Sequence, residues 1–245
     1  VVERRNTIPI LSNVLIEATP EGVSFRATDL DTEVVDRAPA TVERPGATTV
    51  SAALLNDIAR KLPDGALVNI AFDADSGRVS VQAGRANFNL ATLPREDFPV
   101  MASTEYTANF TAPAPVLRRL FDKSRFAIST EETRYYLNGV YMHVADGEGG
   151  RSLRCVATDG HRLARIDAPL PEGAEAMPGV IVPRKTVAEL KKLLDDDEAE
   201  IAVSISETKV RFANPTITLT SKVIDGTFPD YTRVIPRGNT RRLEV

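Results

Sequence analysis

The chain carries the tripeptide Ala27-Thr28-Asp29 a second time, as Ala157-Thr158-Asp159, 130 residues further along. The dipeptide Phe98-Pro99 recurs as Phe228-Pro229 at the same displacement. Two looser landmarks keep this order at displacements of about 125 and 132 residues: Leu11-Ser12-Asn13 against Leu137-Asn138-Gly139, and Ile58 with Leu62 against Leu190 with Leu194. Ordered landmarks at nearly one spacing predict a duplicated domain of about 130 residues. Coincidence among common strand and turn residues is the alternative.

Short alternating segments rich in β-branched residues occupy most of the chain, for example 22–27 and 80–83. Such segments predict antiparallel strands. The stretches at 73–77, 146–150 and 206–208 lie between them and predict hairpin turns. Helical periodicity is confined to Ser51–Leu62, Ala114–Ile128 and Pro183–Leu194, of which the second and third start behind proline. The pattern as a whole predicts an α+β fold.

The charges are unevenly distributed. A net charge of −4 and a pI near 5.4 argue, taken over the whole chain, against DNA binding, because affinity for phosphates comes mainly from Lys and Arg. The three predicted helices nevertheless carry ten basic and three acidic residues. On the third helix the apolar residues share one arc and the basic residues the other: Val187, Leu190, Leu193 and Leu194 against Arg184, Lys185, Lys191 and Lys192. We therefore predict helices that face a polyanion and contact phosphates without reading sequence. For any one helix an ordinary solvated face is the better explanation, but the same bias on three helices favours the polyanion.

Several classes of function lack support in the sequence. No apolar run approaches the roughly 20 residues of a membrane helix, so a cytoplasmic protein is expected. The single cysteine, Cys155, has no partner for a disulfide or metal site, and alternation predicts that it is buried. An enzyme would have to be built on Asp159, His161 and His143, without a nucleophile elbow, a phosphate-binding glycine loop or a metal-ligand cluster. We predict no catalytic residues, no metal and no cofactor. A purely protein-binding β-repeat scaffold is a further alternative, but it leaves the basic helices unexplained.

Local sequences along the whole chain are similar to those of one family. They are Asn6-Thr7-Ile8-Pro9-Ile10-Leu11, Ala27-Thr28-Asp29-Leu30, Thr92-Leu93-Pro94-Arg95-Glu96-Asp97-Phe98-Pro99, Arg134-Tyr135-Tyr136-Leu137-Asn138-Gly139, Ala157-Thr158-Asp159-Gly160-His161-Arg162-Leu163-Ala164, Val182-Pro183-Arg184-Lys185, Thr220-Ser221-Lys222, Asp225-Gly226 and Phe228-Pro229-Asp230-Tyr231. In these motifs the chain resembles the beta subunit of bacterial DNA polymerase III, the beta sliding clamp family.

The resemblance implies tandem DNA-clamp domains with antiparallel sheets outside and helices lining an inner face. It divides the chain into domain I at 1–104, domain II at 105–232, and a linker with the start of domain III at 233–245. The family forms a head-to-tail homodimer that closes a ring around duplex DNA. Relative to that pattern the chain lacks the third domain and the first helix of domain I, so we expect that it does not close a ring alone.

The family's DNA contacts are implied at several positions of this chain. They correspond to Arg5, Arg60, the loop at Glu131, Tyr135 and Tyr136, with Lys185 and Lys192 at inner-helix basic positions. An acid at position 131 would repel phosphate. The two tyrosines could stack on an unpaired base beside the duplex or pack as ordinary strand aromatics.

The resemblance also implies a hydrophobic pocket that receives short linear peptides. Its partners in the family are the polymerase III catalytic subunit, the clamp loader, other polymerases and repair proteins. The matching residues are Leu137, Thr158, Gly160, His161, Arg162, Leu163, Pro229, Arg233 and Val234. Because other pocket residues of the family come from the third domain, we expect the fragment alone to bind such peptides weakly.

Overall fold

The computed structural model describes residues 1–2, 7–147 and 150–236. This part of the chain forms antiparallel strands and three α-helices. The strands are β1 (Asn13–Thr19), β2 (Gly22–Thr28), β3 (Thr32–Ala38), β4 (Gly46–Ser51), β5 (Asn69–Asp73), β6 (Arg78–Ala83), β7 (Ala86–Leu93), β8 (Ala108–Pro113), β9 (Gly139–Gly147), β10 (Gly150–Thr158), β11 (Leu163–Pro169), β12 (Val180–Pro183), β13 (Glu200–Ile205), β14 (Lys209–Ala213) and β15 (Ile217–Lys222). The helices are α1 (Ala52–Ala59), α2 (Ala114–Asp122) and α3 (Arg184–Leu193). The α+β prediction is confirmed.

The same succession of elements occurs twice. Strands β1 to β4, helix α1 and strands β5 to β7 form repeat one; strands β9 to β12, helix α3 and strands β13 to β15 follow the same order in repeat two, which also contains β8 and α2. The pairing registers agree with the sequence landmarks. Equivalent pairs are Leu15–Arg26 and Tyr141–Val156, Thr28–Glu33 and Thr158–Leu163, and Leu15–Thr49 and Tyr141–Ile181.

The two repeats share one sheet. Its strand order is β5-β6-β7-β4-β1-β2-β3-β15-β14-β13-β8, and the pairing of β3 with β15 joins the repeats, for example at Val34 and Leu219. Strands β11-β10-β9-β12 form a second sheet in repeat two. Continuous backbone pairing across the junction holds the repeats side by side.

Helices α2 and α3 bury their apolar faces, as predicted for α3, whereas α1 buries Ile58 and leaves Leu54 exposed. In α3, Val187, Leu190 and Leu193 are buried in the core of repeat two, together with Leu117 and Leu120 of α2. Burying such a side chain is worth about 1.5–3 kcal/mol, so the helices are fixed with their charged faces outward. Cys155 is fully buried in this core, as predicted.

Helix α2 is shorter than its periodicity predicts. It ends at Asp122, and a separate 3₁₀ turn, Arg125–Ala127, occupies the remainder of the predicted 114–128 helix. The Ser124 hydroxyl donates to the carbonyls of Leu120 and Phe121 at 2.8 and 3.2 Å. Since a serine side chain that bonds backbone carbonyls competes with helix geometry, the prediction of one helix to Ile128 was wrong. The hairpins predicted at 73–77 and 206–208 are present between β5 and β6 and between β13 and β14.

Candidate nucleic-acid interface and peptide pocket

The two copies of the Ala-Thr-Asp tripeptide form the same turn. In repeat two, Thr158 Oγ1 donates to the Arg162 carbonyl at 2.8 Å and accepts from the Gly160 amide at 3.1 Å. The Asp159 carboxylate accepts from the amides of His161 and Arg162, both at 3.0 Å. Repeat one has the same four bonds. Thr28 Oγ1 donates to the Thr32 carbonyl and accepts from the Leu30 amide, and the Asp29 carboxylate accepts from the amides of Asp31 and Thr32. A threonine followed by an aspartate satisfies the backbone of this turn locally, which explains why the tripeptide occurs twice.

The residue that follows the aspartate of the tripeptide has a left-handed backbone in both repeats. Leu30 has φ +79° in repeat one and Gly160 has φ +90° in repeat two. A Cβ at Gly160 would also come within 2.6 Å of Arg134 Nη1. Glycine therefore relieves backbone strain here and leaves room for the Arg134 guanidinium beside the turn.

Asp159 is explained by the turn and not by catalysis. Hydrogen bonds from the Arg162 and His161 amides lower the pKa of Asp159 to about 2, and the Arg162 side chain adds a bond at 3.0 Å. A carboxylate so strongly held in its ionised form is a poor general base. The geometry gives no support to an enzyme built on Asp159 and His161.

An apolar cluster lies beside the second turn. Its buried members are Leu137, Val156, Ile181, Phe228 and Tyr231, with Tyr136, Tyr141, Leu163, Ile224 and Ile235 packed against them; we call it the repeat-two cluster. Its rings are ordered: Tyr141 stacks on Phe228 at 4.9 Å and on His143 at 4.5 Å between centroids. Leu163 directly follows the turn and packs against the cluster. An apolar side chain therefore lies immediately beside the turn.

The predicted pocket residues divide into three groups around this cluster. Leu137 and Leu163 belong to it. Thr158, Gly160, His161 and Arg162 form the turn, and Arg162 also lies 5.7 Å over the exposed Phe126 ring. Pro229, Arg233 and Val234 flank Tyr231, which opens the 3₁₀ helix Tyr231–Arg233. Val234 is 68% exposed, and Asp230 fixes Arg233 through an ion pair of 2.8 Å.

Eight cluster residues were absent from the predicted pocket, among them Tyr141, Ile181, Phe228 and Tyr231. Phe228 was available as a repeat landmark, and Tyr231 stands in a motif that supports the family resemblance. Tyr141 and Ile181 are adjacent partners on β9 and β12. Strand alternation places them on one face, but the sequence alone does not indicate which strands pair.

The predicted DNA-contacting residues are differently placed. Arg60, directly after α1, and Lys192 on α3 are exposed, and Lys192 pairs with Glu189 at 3.0 Å. Lys185 forms a 2.6 Å ion pair with Asp29 in the turn of repeat one, so part of its charge is used between repeats. Arg5 lies outside the described residues. DNA contact at each of these positions stays a prediction.

In the loop from 131 to 136, the charge of Glu131 is neutralised by Arg134. Arg134 holds Glu131 through two hydrogen bonds of 2.6 and 2.8 Å, and this interaction lowers the pKa of Glu131. Tyr135 is 53% exposed, Tyr136 packs partly against the repeat-two cluster, and the two rings meet edge to face at 5.8 Å. Tyr135 is therefore the better placed of the two for contact with another molecule, and the ion pair reduces the repulsion of phosphate expected at Glu131.

Two open cavities are lined by residues outside the repeat-two cluster. One, of about 470 Å³, is lined by Leu15, Glu17, Arg26, Arg95, Glu96, Phe98 and Val100, and we call it the repeat-one groove. The other, of about 820 Å³, lies along Arg151, Arg154, Arg165 and Asp167. Both are rich in charged side chains, whereas the surface beside Leu163 is mainly apolar. Linear peptides that insert apolar anchors match the apolar surface better than either cavity.

The described residues also bear on metals and membranes. Residues 1–2, 7–147 and 150–236 contain no cluster of three or more His, Cys, Asp or Glu side chains suited to a metal. In the same ranges no helix is long and apolar enough to cross a membrane.

Comparison with known proteins identifies related sequences along most of the chain. Residues 1–102 match the family model described as DNA polymerase III beta subunit, N-terminal domain, and residues 111–230 match the model described as the central domain. A beta sliding clamp from Caulobacter vibrioides is 54% identical over 245 residues, covering 100% of this chain and 66% of its own length. The Escherichia coli K12 beta sliding clamp is 40% identical over 244 residues, covering 98% of this chain and 64% of its own.

Solved structures agree with the sequence comparison. The Caulobacter crescentus polymerase III beta structure has a TM-score of 0.93 at 55% identity and covers 98% of this chain and 65% of that one. The Bartonella birtlesii sliding clamp solved with griselimycin has a TM-score of 0.93 at 50% identity, with coverages of 98% and 64%. The chain thus spans about two thirds of the length of these relatives.

Proposed function

The chain belongs to the DNA polymerase III beta subunit family, and on that premise we propose that it forms two domains of a DNA sliding clamp. The clamp encloses duplex DNA and tethers the replicative polymerase to it. Its role is non-catalytic, because holding DNA by encirclement requires no bond to be made or broken. We place its action in the cytoplasm, where bacterial DNA is replicated.

The observation that supports this proposal most strongly is the charge on the helices. The apolar faces of α2 and α3 are buried, and most cations of the three helices are exposed to solvent: Arg119 and Lys123 around α2, Arg184, Lys191 and Lys192 on α3, and Arg60 after α1. The chain as a whole is acidic. An excess of cations on the helices within an acidic protein favours contact with phosphates at the helices and discourages adhesion elsewhere.

We propose the domain boundaries 1–104, 105–232 and 233–245. The family models match on either side of the first boundary. The repeat-one cluster of Val14, Ile16, Val50, Val79 and Val81 is separate from the core of repeat two, which also favours two units.

We further propose that the full-length protein is a head-to-tail homodimer. Strand β5 lies at the edge of the eleven-stranded sheet, and the apolar side chains of Leu67, Val68, Ile70 and Phe72 are exposed on and beside it. An apolar sheet edge in solvent is prone to pair with another chain. This edge belongs to domain I, the domain that the family uses for ring closure.

The repeat-two cluster and the adjoining turn are proposed as the site for partner peptides. An apolar cluster bordered by the exposed polar residues of the turn suits a short peptide with apolar anchors. The proposed partners are the polymerase III catalytic subunit, the clamp loader, other polymerases and repair proteins. A structure of a 50% identical relative contains griselimycin, and we propose that this compound binds the same site here.

Encirclement can be tested with circular DNA. We expect full-length protein, loaded onto a nicked circular plasmid by its clamp loader, to stay bound during gel filtration and to be released when the plasmid is linearised. Equal retention on circular and linear DNA would contradict encirclement. Absence of retention on circular DNA, with loading confirmed by ATP turnover of the loader, would contradict the clamp proposal altogether.

The role of the helices can be tested by the salt dependence of DNA binding. The double variant Arg60→Ala with Lys192→Ala removes two exposed cations of the helical surface. Removing one cation that neutralises a phosphate lowers the slope of log affinity against log salt by about 0.9, so a decrease of about 1 to 2 is expected. Arg85→Ala, an exposed cation in the hairpin between β6 and β7, is the control and should leave the slope unchanged.

A further inference from the structure

Polar side chains from four elements meet behind the repeat-two cluster. Arg154 on β10 binds Asp167 on β11 through two bonds of 2.6 and 2.8 Å. Arg154 Nη1 also donates to the Tyr231 hydroxyl at 3.2 Å, and His143 Nε2 on β9 lies 3.1 Å from the same hydroxyl. Arg154 is 8% exposed and Tyr231 is 7% exposed. Within the described chain, this network connects the second sheet to the segment that follows Pro229.

The proton positions in this network follow from its partners. His143 Nδ1 lies 2.8 Å from the Val144 carbonyl, which can only accept, so Nδ1 carries the hydrogen. In the neutral imidazole, Nε2 is then an acceptor, and the Tyr231 hydroxyl donates to it. The same hydroxyl accepts from Arg154. Both hydrogen-bonding roles of Tyr231 are satisfied only when His143 is neutral.

Tyr231 joins the network to the proposed pocket. It is a buried member of the repeat-two cluster and the first residue of the 3₁₀ helix that leads to Arg233 and Val234. His143 stacks on Tyr141, which stacks on Phe228. The orientation of the Tyr231 ring therefore determines where this side of the pocket lies.

Resting on the pocket proposed above, we infer that Tyr231 is a positioning residue for the peptide site and that Arg154 and the neutral imidazole of His143 hold its hydroxyl. None of these three side chains needs to touch the ligand. They act by fixing the aromatic rings beside Tyr231 and the segment that carries Arg233 and Val234. Pre-organisation of this kind raises affinity because less ordering remains to be done on binding.

The network also implies a dependence on pH. Burial lowers the pKa of His143 from 6.5, opposed by the bond to the Val144 carbonyl; nearby Arg154 lowers it further and Asp167 raises it. The uncharged rings of Tyr141 and Tyr231 complete its surroundings. Since the folded-state pKa is depressed, the unfolded chain takes up the proton first. The stabilisation is complete above 6.5 and is lost as pH falls below it towards the folded-state pKa.

Removing one hydroxyl tests the inference most directly. Tyr231→Phe keeps the ring but leaves Arg154 Nη1 and His143 Nε2 without this partner. With full-length protein and griselimycin as the probe at pH 7.5, calorimetry should show binding about 5- to 10-fold weaker. Tyr106→Phe, the same change at a tyrosine remote from the network, should bind as wild type does. Unchanged affinity in a folded Tyr231→Phe protein overturns the inference.

A pH series separates positioning from a merely structural role. Tyr106→Phe, remote from the network, is again the control. Wild-type affinity should decline as pH falls below 6.5; the decline should persist in Tyr106→Phe and be reduced in His143→Gln. A decline that persists unchanged in His143→Gln overturns the inference.

Two further results keep the inference distinct from the pocket proposal. Nitrogen-15 spectra of the wild-type protein should show His143 protonated at Nδ1 and unprotonated at Nε2 at pH 7.5; the other tautomer overturns the inference even if Tyr231→Phe does not fold. If wild-type protein fails to bind griselimycin at pH 7.5, the pocket proposal fails and the inference fails with it. Normal wild-type binding with unaffected variants refutes the inference alone.

Discussion

The repeat-one groove and the repeat-two cluster occupy equivalent positions and share apolar side chains, such as Leu15 and Phe98 in repeat one, but they differ at three strand positions. Where repeat two has Val156, Leu163 and Ile181, repeat one has Arg26, Glu33 and Thr49. In repeat one, Arg26 pairs with Glu33 at 2.9 Å and with Glu17 at 3.8 Å. One backbone arrangement thus supports a groove with ion-paired side chains in one copy and a mainly apolar cluster in the other.

The turns beside these two surfaces differ in the same way. In repeat one, Asp29 binds Lys185 of repeat two, and Asp31 binds Lys222 at 2.9 Å, so this turn is used to join the repeats. In repeat two, Gly160, His161 and Arg162 are exposed. Duplication supplies the turn, and the surrounding side chains decide whether it joins two domains or is left available to a partner.

The largest difference between the two repeats is expected when the buried phenylalanine of each repeat is replaced by alanine. Phe228→Ala and Phe98→Ala each remove a ring that is less than 9% exposed and should each lower the free energy of unfolding by about 3–5 kcal/mol. Only Phe228→Ala should also weaken griselimycin binding, by more than about 10-fold. Denaturant titration and calorimetry measure the two effects. Equal loss of binding in both variants would remove the distinction between the repeats.

The ion pair of repeat one can be tested by placing leucine at position 33, where repeat two has Leu163 at the equivalent position. Glu33→Leu leaves Arg26 without its closer partner and the Met101 amide without its acceptor, which should cost about 2–3 kcal/mol of stability. Glu96→Leu, at an exposed acid of the same groove, should change stability by less than about 0.5 kcal/mol. A similar loss in both variants, measured by urea denaturation, would show that the ion pair is not what holds the groove.

The smallest effect is expected at the junction between repeats. Lys185→Met removes the pair with Asp29 and should lower stability by about 0.5–1 kcal/mol, because Lys185 is partly exposed. Lys192→Met, at a lysine paired within its own helix, should cost less than about 0.5 kcal/mol. Thermal unfolding of both variants measures the difference. A larger effect at Lys192 would contradict a joining role for Lys185.

The Lys185–Asp29 pair also predicts how the stability of the protein changes at acid pH. Burial raises the pKa of Asp29, but hydrogen bonds from Lys185 and from the amides of Thr32 and Asp31 outweigh it, so the pKa is lowered from 3.8. The stabilisation is present above 3.8 and is lost as pH falls through the lower folded-state value. Lys185→Met should flatten the decline of stability below pH 4. An acid limb identical to that of wild type would show that Lys185 does not hold the Asp29 carboxylate.

Local signals in the sequence predicted the repeated arrangement well. The Ala-Thr-Asp tripeptide determines its own turn, and Val187, Leu190 and Leu193 mark the buried face of α3. The early end of α2 was missed because Ser124 bonds the carbonyls of the preceding turn, a choice that periodicity does not reveal.

Contacts distant in sequence could not be predicted. Arg154 and Tyr231 meet because β10 and the segment after Pro229 are adjacent in space, and Lys185 meets Asp29 only because the repeats lie side by side. Of the predicted pocket residues, Leu137 and Leu163 lie in the repeat-two cluster, but the aromatic side chains Tyr141, Phe228 and Tyr231 were not predicted there. Their proximity depends on which strands pair, and the strand pairing was visible only in the fold.

The location of bound griselimycin tests the central claim most directly. A crystal structure of the full-length protein with griselimycin should show the compound on the repeat-two cluster, against Leu137, Leu163 and Phe228, with the repeat-one groove unoccupied by it. Griselimycin seated against Glu17, Arg95 and Val100, with the repeat-two cluster unchanged, would contradict the claim that apolar side chains, and not the shared turn, determine which copy binds a partner.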